Sequence, residues 1–392
     1  MAIAATLPFE QAAGRIWDVL VVGAGPAGAF AAHEIARQNA SVLLVDKAAF
    51  PRYKVCGGCL NAAALATLQA AGLGSLPIQL GGKPFHALRL AVGSQFASIP
   101  LPAGVAVSRE AFDTALIEQA IFSGADFLPL TTAVLDSVSD QSRRAVLYHS
   151  LKPMPVQARV VLVADGLGGG LLKSEAGFTK VAAKHSRVGV GTIANAAPDF
   201  YEAGSIFMAC ARGGYVGIVQ IENSQLEIAA AFDPEFLRRA GGSGKAAELV
   251  IKQAGFPCVD GLAAMAWRGT PALTHTQSRL AVTRLFVLGD AAGYVEPFTG
   301  EGMAWALASA AAVTSFAIEA AQNWAPSLAD QWTQCHRALL GSRQKACKRV
   351  TRLLRQPLLM RAAVGALSKA PSLAAPLVKY LNAELAYAGS SS

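Results

Sequence analysis

Apolar and polar positions alternate along this chain in a way that predicts its first elements. Ile16 to Val22 is a short, mostly apolar run, suited to a strand buried on both faces. Three glycines follow. An alanine-rich stretch from about Pro26 to Asn39 then reads as a helix, and Ser41 to Val45 as a second strand closed by Asp46. Two more apolar runs recur far downstream. One covers residues 158–164 and ends at Asp165-Gly166; the other covers 283–288 and ends at Gly289-Asp290. Between them, "SRVGVGTIANA", "GGYVGIVQI" and "SQLEIAAAF" alternate as antiparallel strands do. Residues 302–318 are mostly Ala and Ser, short of the roughly 20 strongly apolar residues that a membrane span needs, and predict a buried helix. From His336 onward the pattern is helical, broken at Pro357, Pro371 and Pro376.

Composition adds a bias. With 392 residues the chain predicts two domains, or one large domain with an inserted lobe. Hydrophobic residues make up 53% and charged residues 15%. The charged share is below the usual figure of roughly 25%, which points to a hydrophobic substrate, a membrane face, or both. The net charge is +8, yet the segment 331–383 alone carries ten Lys and Arg and no acid, so the remainder is 8 − 10 = −2. The basicity belongs to the tail and not to a nucleic-acid-binding face. Six cysteines show no disulfide-framework spacing, and the N-terminus lacks the basic and apolar regions of a secretory signal. A reduced, cytoplasmic protein is expected, with peripheral membrane contact through the basic tail as one role for that segment.

The glycines carry the first chemistry. Gly23, Gly25 and Gly28 have the G-x-G-x-x-G spacing, with Ala27 inside the same turn. The first permits a tight turn, the second a close approach to a pyrophosphate, the third close packing of helix on strand. The helix then points its N–H groups and positive dipole end at the phosphates. Asp46 is placed to accept from ribose hydroxyls, with Lys47 beside it. Asp165, Gly166, Gly289 and Asp290 arrive at the carboxyl ends of two more strands, where ligands bind in open α/β sheets. A cofactor touched near residues 25, 165 and 290 is long and extended; FAD fits that description.

With these residues the chain resembles FAD-dependent oxidoreductases of the geranylgeranyl reductase type, within the para-hydroxybenzoate hydroxylase-like flavoproteins. The matching features are the three glycines with Asp46, the "PRYKVCGG" segment, "VSREAFDTALIEQA", Asp165-Gly166 and "GDAAGYVEPFTGEG". The resemblance implies an α/β fold: a Rossmann-type FAD-binding domain from 1–170 and 283–325, an antiparallel-sheet substrate lobe at 171–282, and a basic helical segment at 326–392. It implies that Asp46 binds the adenosine ribose, that Arg109 lies against the FAD, and that Asp290 binds ribityl or ribose hydroxyls. Gly300 and Gly302 are expected to present N–H groups to the flavin pyrimidine edge, with Met303 behind them and Pro297 shaping the turn.

The segment "FPRYKVCGGCLN" has three readings. A zinc site needs four ligands, and no second pair completes it. A thioredoxin-like dithiol has its C-x-x-C opening a helix, whereas the Gly-Gly between these cysteines favours a loop. The third reading is a flavin-facing loop, in which Arg52 faces phosphates or flavin, Gly57 and Gly58 let the backbone pass the ring, Cys56 is a candidate catalytic residue and Cys59 is incidental. Tyr215 is a second candidate, from the substrate lobe. No metal site is expected.

The function implied is that of an FAD-dependent oxidoreductase acting on a hydrophobic small molecule or lipid. Hydride transfer from reduced flavin to a carbon–carbon double bond leads. The alternatives are a monooxygenase working through a flavin hydroperoxide, and an electron-transfer flavoprotein. NAD(P)H or another external reductant is expected, although no second dinucleotide fingerprint is present. The Y-x-W-x-F-P type motif of the reductases is missing from the lobe, as is the W-x-W-x-I-P motif of flavin halogenases.

Overall fold

In the computed structural model, which describes residues 2–196, 198–296, 298 and 300–385, the chain opens with β1 (Ile16–Val22), α1 (Pro26–Ala36) and β2 (Val42–Val45). β1 and β2 pair in parallel, Val19 with Val42 through Val22 with Val45. Val19 to Val22 and all of β2 are buried, which explains the unbroken apolar runs. α1 ends at Ala36, short of Asn39, which adopts a left-handed φ of 63° and turns the chain toward β2.

The chain then leaves this sheet. β3 (Lys83–Val92) and β4 (Gln95–Ala106) form an antiparallel hairpin in a second sheet. α2 (Arg109–Phe122), capped by the Ser108 hydroxyl on Ala111 N at 3.0 Å, brings it back to β5 (Asp126–Leu128) beside β2. β6 (Lys152–Val163) pairs in parallel with the other edge of β1. The second sheet resumes with β7 (Val188–Ala194), β8 (Gly204–Ala211), β9 (Gly214–Gln220) and β10 (Leu226–Phe232). α3 (Ser243–Gln253) covers its outer face, and β11 (Arg268–Ala272) forms its far edge. β12 (Leu285–Val287) returns to the first sheet beside β6.

The first sheet therefore has the order β12-β6-β1-β2-β5, extended by Ala281–Val282 beside β12 and by a hairpin of Thr131–Val138 and Arg143–His149 on β6, and the second β11-β7-β10-β9-β8-β3-β4 followed by Cys59–Leu60. The sheet boundary does not follow the expected segments. β3 and β4 come from within 1–170, yet β3 pairs with β8 from within 171–282, Leu90 beside Met208, and carries β4 into the same sheet. That register sets Leu88 opposite Ile206 and Leu90 opposite Met208, so the four side chains share one apolar face of the sheet.

α4 (Gly302–Gln322) is long and apolar enough to cross a membrane by length and composition, but it is the core helix, with Leu307, Ala310, Val313, Ala317 and Ala320 at 0% exposure. It packs on α1, both helices being rich in alanine. α5 (Ser327–Leu353) follows, anchored by fully buried Trp332, whose indole N–H donates to Val287 O at 3.1 Å. α6 (Pro357–Lys369) and α7 (Ala375–Asn382) fold back across β3 and β4. Pro357 starts α6, and Pro376 occupies the first turn of α7, where a missing N–H costs nothing; it does not break a helix there.

Candidate active site

Two glycines of the turn between β1 and α1 admit no side chain. A methyl on Gly23 (φ 104°) would lie 2.3 Å from Ala164 O, and one on Gly28 would lie 1.8 Å from Gly23 O. At Gly25, the N-cap of α1, a methyl would instead face Arg109 at 3.6 Å and Arg52 at 3.7 Å. Two guanidiniums thus stand opposite a helix N-terminus, an arrangement that binds a pyrophosphate. Asp113, wholly buried, accepts from Arg109 Nε at 2.7 Å and from a terminal nitrogen at 2.8 Å, and lies 3.6 Å from Arg52. Burial pulls the Arg109 pKa down, but Asp113 beside it raises it by more, so the cation is secure.

Asp46 ends β2 as expected. Its carboxylate accepts from Ala24 N at 2.7 Å and Ala48 N at 2.8 Å, which fixes it at the floor of the cleft with lone pairs left for a ribose. Lys47 is exposed, its charge reaching Asp165. Asp165 accepts from Leu171 N at 3.0 Å, and beside it Gly166 (φ 75°) faces open space. Gly289 (φ 59°) presses on α1: a methyl there would lie 2.7 Å from Ala27 Cβ. Burial raises the Asp290 pKa against the pull of Arg109, Lys54 and Lys180. Lys180, from a strand at Lys180–Ala182, donates to Leu167 O and was not among the expected residues.

Beyond Asp290 the cleft is framed by glycine backbone. Gly57 faces open space, and a methyl on Gly58 (φ 64°) would lie 3.1 Å from Val107 O. Across from them are Gly300 (φ 74°) and Gly302, first in α4, where a methyl would lie 3.2 Å from the Tyr294 hydroxyl. That helix N-terminus suits the negative charge a flavin pyrimidine edge gains on reduction. Met303 is buried behind it; Pro297 lies outside the described residues. Both loop cysteines line this space. Cys59 has its Cβ toward Gly300, and its thiol donates to Gly57 O at 3.1 Å. Burial pushes both thiols up, Cys56 against the counter-pull of Arg109, so each keeps its proton at neutral pH. Among the described residues no three His, Cys, Asp or Glu side chains are grouped to hold a metal.

The cleft opens into an apolar chamber; together they form one cavity of about 600 Å³. One wall is a face of the second sheet, with Leu90, Ile206, Met208 and Tyr215. The other wall is the C-terminal helices, through Leu354, Met360, Val364 and Leu381. Tyr215 packs edge-on against Phe298 with ring centres 5.0 Å apart, so it joins the sheet to the flavin-side turn. Burial raises its hydroxyl pKa well above the usual range. Arg187, fully buried, covers the Tyr215 ring and pairs with Glu296 at 3.0 Å.

One acid lies on that apolar sheet face. Register places Glu227 opposite Val219, as Ala229 is opposite Gly217 and Ala231 opposite Tyr215. Glu227 is 2% exposed, and burial raises its pKa far above the carboxylate range. Its Oε1 accepts from the Tyr53 hydroxyl at 3.4 Å. Tyr53 lines both the chamber and a smaller cavity of about 250 Å³ beside Thr192 and Met265. Sequence reasoning missed this pair. The signal available was a single Glu in the run "LEIAAAF", in the alternation series that continues with Ala229 and Ala231.

Comparison with known proteins agrees with this geometry. Residues 17–339 match the family described as FAD binding domain. The menaquinone reductase of Mycolicibacterium smegmatis is 36% identical over 156 residues, which cover 38% of this chain and 37% of that protein. The matched stretch is thus little more than a third of that relative's length. A digeranylgeranylglycerophospholipid reductase of Methanosphaera stadtmanae is 27% identical over 319 residues, 74% of this chain and 75% of that one. Among solved structures, a flavoprotein/dehydrogenase from Cytophaga hutchinsonii superposes with a TM-score of 0.80 at 17% identity, covering 94% of this chain and 93% of its own. A p-nitrophenol 4-monooxygenase from Pseudomonas putida reaches 0.75 at 14% identity, covering 94% and 98%. At those identities the structures speak for the fold alone.

Proposed function

The chain belongs to the FAD binding domain family, and we propose that this FAD-dependent oxidoreductase saturates a carbon–carbon double bond of an isoprenoid-type lipid. The observation that carries the reading is the chamber. It continues from the flavin end of the cleft between a sheet face and helices that offer almost only apolar side chains. Such walls suit a long hydrocarbon and offer few partners for a polar aromatic. The sequence relatives named above act, by their names, on menaquinone and on a digeranylgeranyl lipid, which supports the same substrate class.

Bound FAD, reduced by NAD(P)H or another external donor, would supply hydride chemistry, and the residues named next would hold and orient it. Arg52, Arg109 and the α1 N-terminus hold the pyrophosphate, and Asp46 the adenosine ribose. Asp290 and Asp165 orient the hydroxyls between pyrophosphate and ring. The N–H groups at Gly300 and Gly302 stabilise charge at the ring edge. The sheet and the C-terminal helices exclude water. Saturating a double bond also requires a proton at the second carbon. Glu227, held protonated by burial, can release one through Tyr53, and the Cys56 thiol is a second donor facing the chamber.

The test is anaerobic. The protein is reduced, mixed with a geranylgeranyl lipid or menaquinone, and the flavin spectrum followed while products are weighed. Flavin reoxidation with a product richer by two hydrogens in its isoprenoid chain supports the reading; menaquinone converted only to its quinol rejects it in favour of electron transfer. A product that forms only in air and carries one added oxygen rejects it in favour of hydroxylation.

A further inference from the structure

Large apolar side chains are exposed together on α6, the turn after it, and α7. Leu358 is 79% exposed, Leu359 57% and Leu373 63%, with Leu377 and Tyr380 beside them. The opposite faces of the same helices are buried at Met360, Val364 and Leu381 against the chamber. Leu353, Leu373 and Leu377 belong to both: they line the chamber and are exposed, so the chamber reaches the surface among these leucines. Single exposed leucines are ordinary, but a cluster around a cavity mouth calls for an occupant.

Charge identifies it. Arg343 and Arg355 are engaged inside the fold, with backbone carbonyls near Leu381 and with Asp233 at 2.9 Å. Arg349, Arg352, Lys369 and Lys379 are exposed and make no ion pair among the described residues. No acid occurs between Asp330 and Glu384. An apolar patch flanked by unpaired cations matches an anionic bilayer, headgroups against the lysines and arginines and acyl chains against the leucines.

We propose that the α6–α7 face docks on an anionic lipid bilayer and turns the chamber mouth toward the acyl chains. The docking surface stands on these observations alone; its use as an entrance for substrate rests on the lipid reading given above. Co-sedimentation of the FAD-loaded protein with phosphatidylcholine vesicles, with and without phosphatidylglycerol, tests it. Binding is expected about tenfold tighter with phosphatidylglycerol, and weaker at high salt. The double substitution Leu358→Ser, Leu359→Ser should lower binding about tenfold while FAD and its spectrum are retained, because neither side chain lines the chamber. Lys369→Gln with Lys379→Gln should reduce the preference for phosphatidylglycerol. Wild-type protein that ignores anionic vesicles, or a leucine variant that binds like wild type, overturns the proposal. So does light scattering that shows a dimer broken by the leucine substitutions, since the face would then be covered by a second copy. Protein that docks yet reduces no lipid rejects the functional reading and keeps the surface. Protein that reduces detergent-dispersed lipid yet ignores vesicles does the reverse.

Discussion

Buried charge is what distinguishes individual residues in this site. Glu301, beside the first turn of α4, is 1% exposed, and burial raises its pKa to about 7 against the thiol of Cys347 and the charge of Arg343. Between the ordinary carboxylate value and 7 the folded chain keeps a proton that the unfolded chain has released. Stability from this group is therefore full below about pH 4.5 and lost as pH rises through 7, by about 3 kcal/mol. Glu301→Gln should remove that fall, gaining on wild type at pH 8 and not at pH 4, as denaturant unfolding at the two pH values would show. Glu227 is the mechanistic counterpart. Glu227→Gln cannot release a proton, so single-turnover flavin reoxidation by lipid should slow about 100-fold, with FAD affinity unchanged. Arg109→Lys keeps the charge but loses the bidentate grip on Asp113. FAD affinity, read from flavin fluorescence, should fall about tenfold.

At the scale of elements, close packing sets the tolerances. α1 can meet β1 only because Gly28 has no side chain; Gly28→Ala should abolish FAD binding and cost more than about 3 kcal/mol, measurable by thermal melting. The βαβ unit was legible because each of its signals is local: apolar run, glycine spacing, terminal acid. The helix end at Ala36 was less so, since nothing in the sequence marks Asn39 as the left-handed turn except its type. The position of Cys59 beside Gly300 was not legible for a related reason. Its neighbour Gly300 is 241 residues away, and only the fold brings the two loops to opposite sides of one space.

At the scale of the molecule, the chamber is assembled from three distant parts of the chain: β3–β4, β8–β10 and the C-terminal helices. The last of these form a wall as well as a basic surface. Ending the chain after Leu354 should leave FAD bound, because every cradle residue lies at or before Met303. It should also expose the sheet face, raising binding of an apolar dye and stopping turnover with lipid.

The sequence by itself determined the dinucleotide cradle and the Rossmann-type half of the fold, because glycine spacing and buried-strand patterns report constraints that act over a few residues. It also determined that the tail is basic, and that an alanine-rich helix is packed in the core. Only the tertiary structure decided which strands share a sheet, that Glu227 is the lone acid on an apolar face, and that α6 and α7 close the chamber. Those facts depend on register and on contacts between segments more than 100 residues apart, where alternation along one strand says which side is apolar but not what lies opposite.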